Sequence, residues 1–188
     1  EHVTTELGAE VTIEYAPSNQ SALAASAHFA QSDDEDLPDS VRQEPGSHWV
    51  VTDLRWSDGR SGTAEQSQHF EYAGFRFDDA SREPVGARMV EATDAAGVVR
   101  TSLFHQHPQL RGGLASSELC DGASCYERTE TTWTALEPTP GASYARPTRT
   151  LRRRCEPGTA SCDETATSSQ LHGVERSFDA LTGNLLQE

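Results

Sequence analysis

Phe70-Glu71-Tyr72-Ala73-Gly74-Phe75-Arg76-Phe77-Asp78-Asp79-Ala80-Ser81-Arg82-Glu83-Pro84-Val85-Gly86 is the stretch that decides the fold. Phe70 and Tyr72 alternate with Glu71, a period of two that puts both rings on one side of an extended chain. Past Ala73-Gly74 the aromatic positions become Phe75 and Phe77, so the phase slips by one residue. A glycine at such a slip predicts a β-bulge at Gly74, because one extra residue turns every later side chain to the other face. Asp78-Asp79-Ala80 reads as a turn. The chain then returns through Glu83-Pro84-Val85-Gly86, where Gly86 is expected to permit close backbone approach.

The same period runs through most of the chain. Val11, Ile13 and Tyr15 alternate with Thr12 and Glu14. Val50, Thr52, Leu54 and Trp56 form one strand face, and Trp49, Val51, Asp53 and Arg55 the other. Val99, Thr101 and Leu103 alternate again, as do Thr129, Thr131, Trp133 and Ala135. Ser57-Asp58-Gly59, Asp94-Ala95-Ala96-Gly97 and Asp121-Gly122 punctuate these runs as turns. Strand and turn at roughly ten-residue spacing predict an all-β chain of antiparallel strands and hairpins with little helix. Ser21 to Ala30 is Ala-rich and weakly amphipathic, and reads as a loop with at most one helical turn. Two segments read as loops by composition: Gln31 to Ser47, with its acidic run Asp33-Asp34-Glu35-Asp36, and the Pro-rich Glu137 to Pro147. The acidic run lacks the glycine and regular oxygen spacing of a calcium loop and reads as solvated.

Composition narrows the function. The 188 residues carry 15 Arg and no Lys against 30 Asp plus Glu, a net charge of −15. Such a surface repels phosphate backbones and anionic lipid, so neither nucleic acid nor a membrane surface is an expected partner. Apolar residues are 35% of the chain, against about 45–50% for an ordinary globular domain on a scale that also counts Gly. The expected core is thin. No apolar run approaches the roughly 20 residues of a membrane-spanning helix. Glu1-His2-Val3-Thr4 has no leader character, which suggests a mature chain or an excised fragment.

The four cysteines form two short-range pairs, Cys120 with Cys125 and Cys155 with Cys162. Two tight loops favour local disulfides, and hence export. The alternative is zinc, whose ribbons usually place about two residues between cysteines. His105-Gln106-His107 puts two imidazoles on one face of a strand, a possible metal pair that Cys120 or Glu118 would have to complete, although His105 also fits a plain strand position and His107 an exposed one before Pro108. No metal or cofactor is expected. Trp49, Trp56 and Trp133 offer a stacking platform for carbohydrate, although indoles in strands more often pack within the sheet. A hydrolase would need a spatially assembled site, because no Gly-x-Ser-x-Gly elbow occurs. No catalytic residue is assigned. Arg149 to Arg154 is the one basic run, with Arg152 and Arg154 on one face and Arg153 on the other, placed to pair with acidic neighbours.

The order of motifs resembles a known family. Leu7-Gly8-Ala9-Glu10-Val11-Thr12-Ile13-Glu14-Tyr15-Ala16-Pro17-Ser18 resembles a strand in the middle region of insecticidal Tc-toxin B components and related RHS/YD-repeat shell proteins. Leu37-Pro38-Asp39-Ser40-Val41 and Val51-Thr52-Asp53 follow in the family's order. The Phe70 to Gly86 hairpin is the strongest match, although Ala87 stands where a Phe commonly follows. Thr93-Asp94-Ala95-Ala96-Gly97 and Phe104-His105-Gln106 come next. Glu175-Arg176-Ser177-Phe178-Asp179-Ala180-Leu181-Thr182-Gly183-Asn184-Leu185-Leu186 resembles a YD repeat with Phe178 in place of Tyr. Asp179, Gly183 and Asn184 would form its turn. Cys120 to Cys162 has no counterpart and reads as local insertions.

The resemblance implies a non-catalytic wall segment of a hollow shell that encloses a C-terminal toxin polypeptide. Its partners would be neighbouring propeller and RHS-repeat regions of the same polypeptide, the enclosed toxin, and other toxin-complex components. The family's self-cleaving protease region carries an Asp-Pro motif that this chain lacks. The location would be secreted or cell-surface. On this basis residues 1–30 are an opening strand and connecting loop, 31–47 an acidic Pro/Gly loop, and 48–136 the hairpins leading into the shell. Residues 137–164 are a Pro-rich and Cys-loop insertion, and 165–188 the first YD-like hairpin.

Overall fold

A computed structural model describes residues 1–6, 8–19, 36–60, 64–139, 142–159, 162, 169–179 and 184–187. It contains β1 (His2–Thr4), β2 (Glu10–Pro17), β3 (Val41–Gln43), β4 (Trp49–Ser57), β5 (Gln66–Ala73), β6 (Arg76–Asp78), β7 (Glu83–Gly86) and β8 (Met89–Asp94). They are followed by β9 (Val98–Phe104), β10 (Leu114–Asp121), β11 (Ser124–Thr139), β12 (Ala142–Cys155), β13 (Ser169–Glu175), β14 (Ser177–Phe178) and β15 (Leu185–Gln187). One 3-10 turn, Pro108–Leu110, interrupts them. The chain is all-β and antiparallel, as the period of two predicts. The Ala-rich stretch, the Asp33-Asp34-Glu35 run and Gly183 lie outside the described residues.

Ten strands form one antiparallel sheet in the order β1-β2-β4-β5-β8-β9-β10-β11-β12-β13. A three-stranded sheet, β3-β6-β7, and the β14-β15 pair complete the structure. Among the described residues Met89, with 0% of its surface exposed, is the largest fully buried side chain, and Val41 and Val85 are also buried. Accessible surface totals 11625 Å², about a third more than the roughly 8,800 Å² of a compact protein of this mass. The thin core expected from composition is what forms, and much of both sheet faces meets water.

Gly74 lies one residue past the β5–β8 ladder, where the Arg88 N–H bonds the carbonyls of both Ala73 and Gly74. The β5–β8 register runs without a shift from Gln68 opposite Asp94 to Ala73 opposite Met89. Gly74, at φ +69°, lies where the chain leaves the large sheet for the small one. A change of sheet and a bulge produce the same one-residue slip of phase, so the pattern cannot distinguish them. Gly86 differs from expectation. A Cβ built there meets nothing within 4 Å, and its φ is +99°. Backbone conformation, not close approach, is what favours glycine at this position.

Two loop readings are corrected. Val41–Gln43 within the first loop is strand β3, paired with β6 and fixed by an Arg42–Asp79 ion pair. In the second, Glu137 to Pro147 largely continues the longest hairpin, which reaches Thr139 opposite Ala142. Proline has no N–H for a ladder and is confined to edges and irregularities. Pro147 opposes Trp133 beside one register shift, and Pro138 falls inside another, between Leu136 and Thr139.

Asp78, 3% exposed, organises the β6–β7 turn. Its carboxylate accepts the backbone N–H groups of Ala80 at 3.1 Å and Ser81 at 3.3 Å. The Ser40 and Ser81 hydroxyls, followed by these amides, outweigh burial and hold its pKa at about 2, below an ordinary 3.8. A depressed folded-state pKa contributes stability above the unfolded value and loses it as pH falls. The contribution is therefore complete above about pH 3.8 and lost by about pH 2. Urea midpoints for wild type and Asp78→Asn should differ at pH 6 and converge across that window. A gap that stays constant down to pH 2 would contradict this account.

Candidate functional site

Register and alternation assign side chains to the two faces of the large sheet. One face carries Glu14 and Asp53 in one cross-strand row, and Glu71, Glu91 and Glu118 in the next, with Glu130 and Glu175 beyond. The other carries Val11, Ile13, Leu54, Trp56, Phe70 and Val90 toward β1, and Arg152, Arg154 and His172 toward β13. The first face also carries Arg55, Arg128, Arg149 and Arg153, and the second Glu127, so each face mixes both signs of charge.

On the first face, Asp53 and His69 are cross-strand partners, with Oδ1 and Nδ1 3.0 Å apart. Burial pushes the Asp53 pKa up. Hydrogen bonds from His69 and Thr52, with the charges of His69 and Arg55, outweigh it and hold the carboxyl below its ordinary value. A carboxylate orienting an imidazole is part of a nucleophilic site, which also requires a hydroxyl or thiol within reach of the ring. Among the described residues no such group is hydrogen-bonded to His69.

The indoles form no platform. Trp49 is 70% exposed at the start of β4. Trp56 is seven residues along the same strand, about 23 Å away at the usual rise. Trp133 lies five strands across, about 24 Å from β4. Its ring packs against Gly113, and its N–H donates to the Leu114 carbonyl at 2.8 Å. Strand packing separates residues that the sequence allows to be grouped.

His105 and His107 are not strand neighbours, because β9 ends at Phe104. His107 caps the 3-10 turn, where its Nδ1 accepts the Gln109 N–H at 3.3 Å. Between them Gln106 points inward and is 2% exposed. Its amide Nε2 donates to the carbonyls of both Gly74 and Gly86, the latter at 2.9 Å. Gln106 ties together the two glycine corners of the Phe70 to Gly86 hairpin. The sequence marked Gln106 only as part of the Phe104-His105-Gln106 motif and gave no sign of this role.

Both cysteine pairs are disulfides, Cys120–Cys125 across β10 and β11 and Cys155–Cys162 after β12. They form one cluster. The Cys125 N–H donates to the Thr159 carbonyl at 2.7 Å, and the Cys162 N–H to Glu118 Oε1 at 3.1 Å. Glu118, Cys120 and Cys125 place three potential metal-ligand atoms within 4.8 Å. Metal ligation by cysteine needs thiolates, and both sulfurs are already bonded.

The Arg run pairs with acidic neighbours. Arg149 meets Glu175 at 3.1 Å, and Arg152 and Arg154 share Glu127. Toward the C-terminal end, the Asp179 N–H donates to the Asn184 carbonyl at 2.9 Å beside the β14–β15 pair. Among the described residues no helix is long and apolar enough to cross a membrane.

This architecture has close counterparts among solved structures. The TcdB2-TccC3 structure matches 89% of the chain with a TM-score of 0.65 at 15% identity, over 11% of its own length. The fold is Tc-toxin-like. A TcdB2-TccC3 structure without its hypervariable C-terminal region matches the same shares with a TM-score of 0.64 at 13% identity. The Photorhabdus luminescens Tc holotoxin pore matches 80% of the chain, over 10% of its own, with a TM-score of 0.63 at 16% identity. The chain thus spans about a tenth of the length of the solved Tc-toxin-like chains it resembles. No protein-family model and no curated relative matches it.

Proposed function

We propose that this chain is a non-catalytic wall segment of an RHS/YD-repeat shell that encloses a C-terminal toxin polypeptide. The observation that carries the reading is the ten-stranded antiparallel sheet, which follows a Tc-toxin-like fold over 89% of the chain. A sheet with water on much of both faces suits a wall better than a globular core. The Asp179–Asn184 hydrogen bond beside the antiparallel β14–β15 pair supports the YD reading of the final hairpin. Two disulfides suit a secreted or cell-surface protein. Its partners are the flanking propeller and repeat regions of the same polypeptide, the enclosed toxin, and other toxin-complex components.

The test is made on the polypeptide encoded by the complete open reading frame. Electron microscopy is expected to show a hollow particle, and limited proteolysis to leave a C-terminal segment protected inside it. A solid particle whose C-terminal segment is cleaved at the rate of an unfolded peptide would overturn the reading. Assays of the purified chain for peptidase, esterase and glycosidase activity are expected to find no turnover. Turnover abolished by His69→Ala with unchanged thermal stability would instead make Asp53–His69 part of an enzyme.

A further inference from the structure

The two disulfide loops support an inference that stands apart from the shell reading. Their four cysteines gather on one face of the large sheet. Leu119 opposes Glu127 and Cys120 opposes Cys125, so the ladder skips Tyr126 and turns Cys125 to the face of Glu118 and Cys120. Register puts Cys155 on that face as well, two residues beyond Arg153, which aligns with Arg128 and Glu118. Cys162 reaches it from the loop, and its N–H donates to Glu118 Oε1 at 3.1 Å. A carboxylate oxygen of Glu118 and the sulfurs of Cys120 and Cys125 lie within 4.8 Å of one another. Cys125 is 5% exposed and Cys162 is fully buried. Buried thiolates need a counter-charge, and Arg128, opposite Glu118, already pairs with Glu130 at 2.8 Å.

We propose that Glu118, Cys120, Cys125 and Cys162 form a tetrahedral Zn²⁺ site in the reduced chain. Zinc accepts both cysteine thiolates and carboxylate oxygens. The four residues between Cys120 and Cys125 fall within the spacing of about two to four that structural zinc sites use. A dithiol reductant gives two electrons to each disulfide, closes into a disulfide itself and leaves two cysteine thiols. Zn²⁺ then displaces the thiol protons of Cys120, Cys125 and Cys162 to solvent. The ion ties the β10–β11 hairpin to the 155–162 loop, and re-formation of the disulfides expels it. A polypeptide made in a reducing compartment and then exported meets the two states in that order.

Cobalt titration of the intact chain, reduced with a phosphine under argon, tests this. The reduced chain is expected to take up about one Co²⁺, with thiolate charge-transfer and tetrahedral visible bands that Zn²⁺ then removes. The disulfide form should take up none. Cys162→Ser and Glu118→Gln should each weaken uptake by about tenfold or more. Cys155→Ser should retain it, and because it removes the same disulfide as Cys162→Ser but no ligand, it controls for folding. If reduction unfolds the metal-free chain, Zn²⁺ is expected to restore the strand signal in circular dichroism at the same stoichiometry. Absence of uptake by the reduced chain, refolded with or without Zn²⁺, would overturn the proposal. Equal uptake in urea, by the disulfide form, or by either weakened variant would overturn it as well, as would loss of uptake in Cys155→Ser.

Discussion

Replacing Gln106 with leucine is expected to destabilise the protein by about 1–3 kcal/mol. Leucine is close in volume, so the effect isolates the amide. Gln106 is 2% exposed, and its Nε2 serves two carbonyls at the corners of the small-sheet hairpin. After substitution the Gly74 carbonyl keeps only a 3.2 Å bond from the Arg88 N–H. Leaving a buried acceptor without a partner costs about 1–3 kcal/mol. Urea denaturation measures the loss, and Gln109→Leu on the exposed side of the adjacent turn is the control, expected within about 0.5 kcal/mol of wild type. A Gln106→Leu protein as stable as the control would show that the two corners hold their places unaided.

Removing both disulfides should produce the second large effect. Chain-entropy arithmetic gives about 2–2.5 kcal/mol for each loop, and so about 4–5 kcal/mol if the loops were independent. They are not independent here, because Thr159 and Glu118 join the 155–162 loop to the tip of the β10–β11 hairpin. Once Cys155 and Cys162 are serine, that loop loses its fixed seat on the hairpin. Removing Cys120–Cys125 should then cost a different amount than it does in wild type. A double-mutant cycle over the two serine pairs should show a coupling of at least about 0.5 kcal/mol. Additivity within about 0.3 kcal/mol would mean that the two closures are separate devices.

Much of the strand content was legible in the sequence because side-chain alternation is local. Val11-Ile13-Tyr15, Val50 to Trp56 and Val99 to Leu103 each carry a period that only an extended chain satisfies. Turns were legible for the same reason. Asp94-Ala95-Ala96-Gly97 forms a hairpin in which the Asp94 carboxylate accepts two backbone N–H groups and Gly97 takes a φ of +85°. The disulfides could be read too, since closing four or six residues is a short-range event. Local composition misled where a neighbouring strand set the outcome. Pro138 and Pro147 suggested a loop, yet ladder irregularities opposite them absorb the missing donors and the strands continue.

What the sequence by itself determined is therefore an antiparallel, thin-cored chain with two closed loops. Only the tertiary structure decided which residues meet. The inward turn of Gln106, the docking of one disulfide loop on the other, and the sorting of Glu71, Glu91 and Glu118 from Arg152 and Arg154 all depend on register. A shift of one residue would exchange every side chain between the faces. Within a tight hairpin the turn sets the register, but β2–β4, β5–β8 and β12–β13 pair across intervening chain, so no single window of sequence encodes how all the rows align.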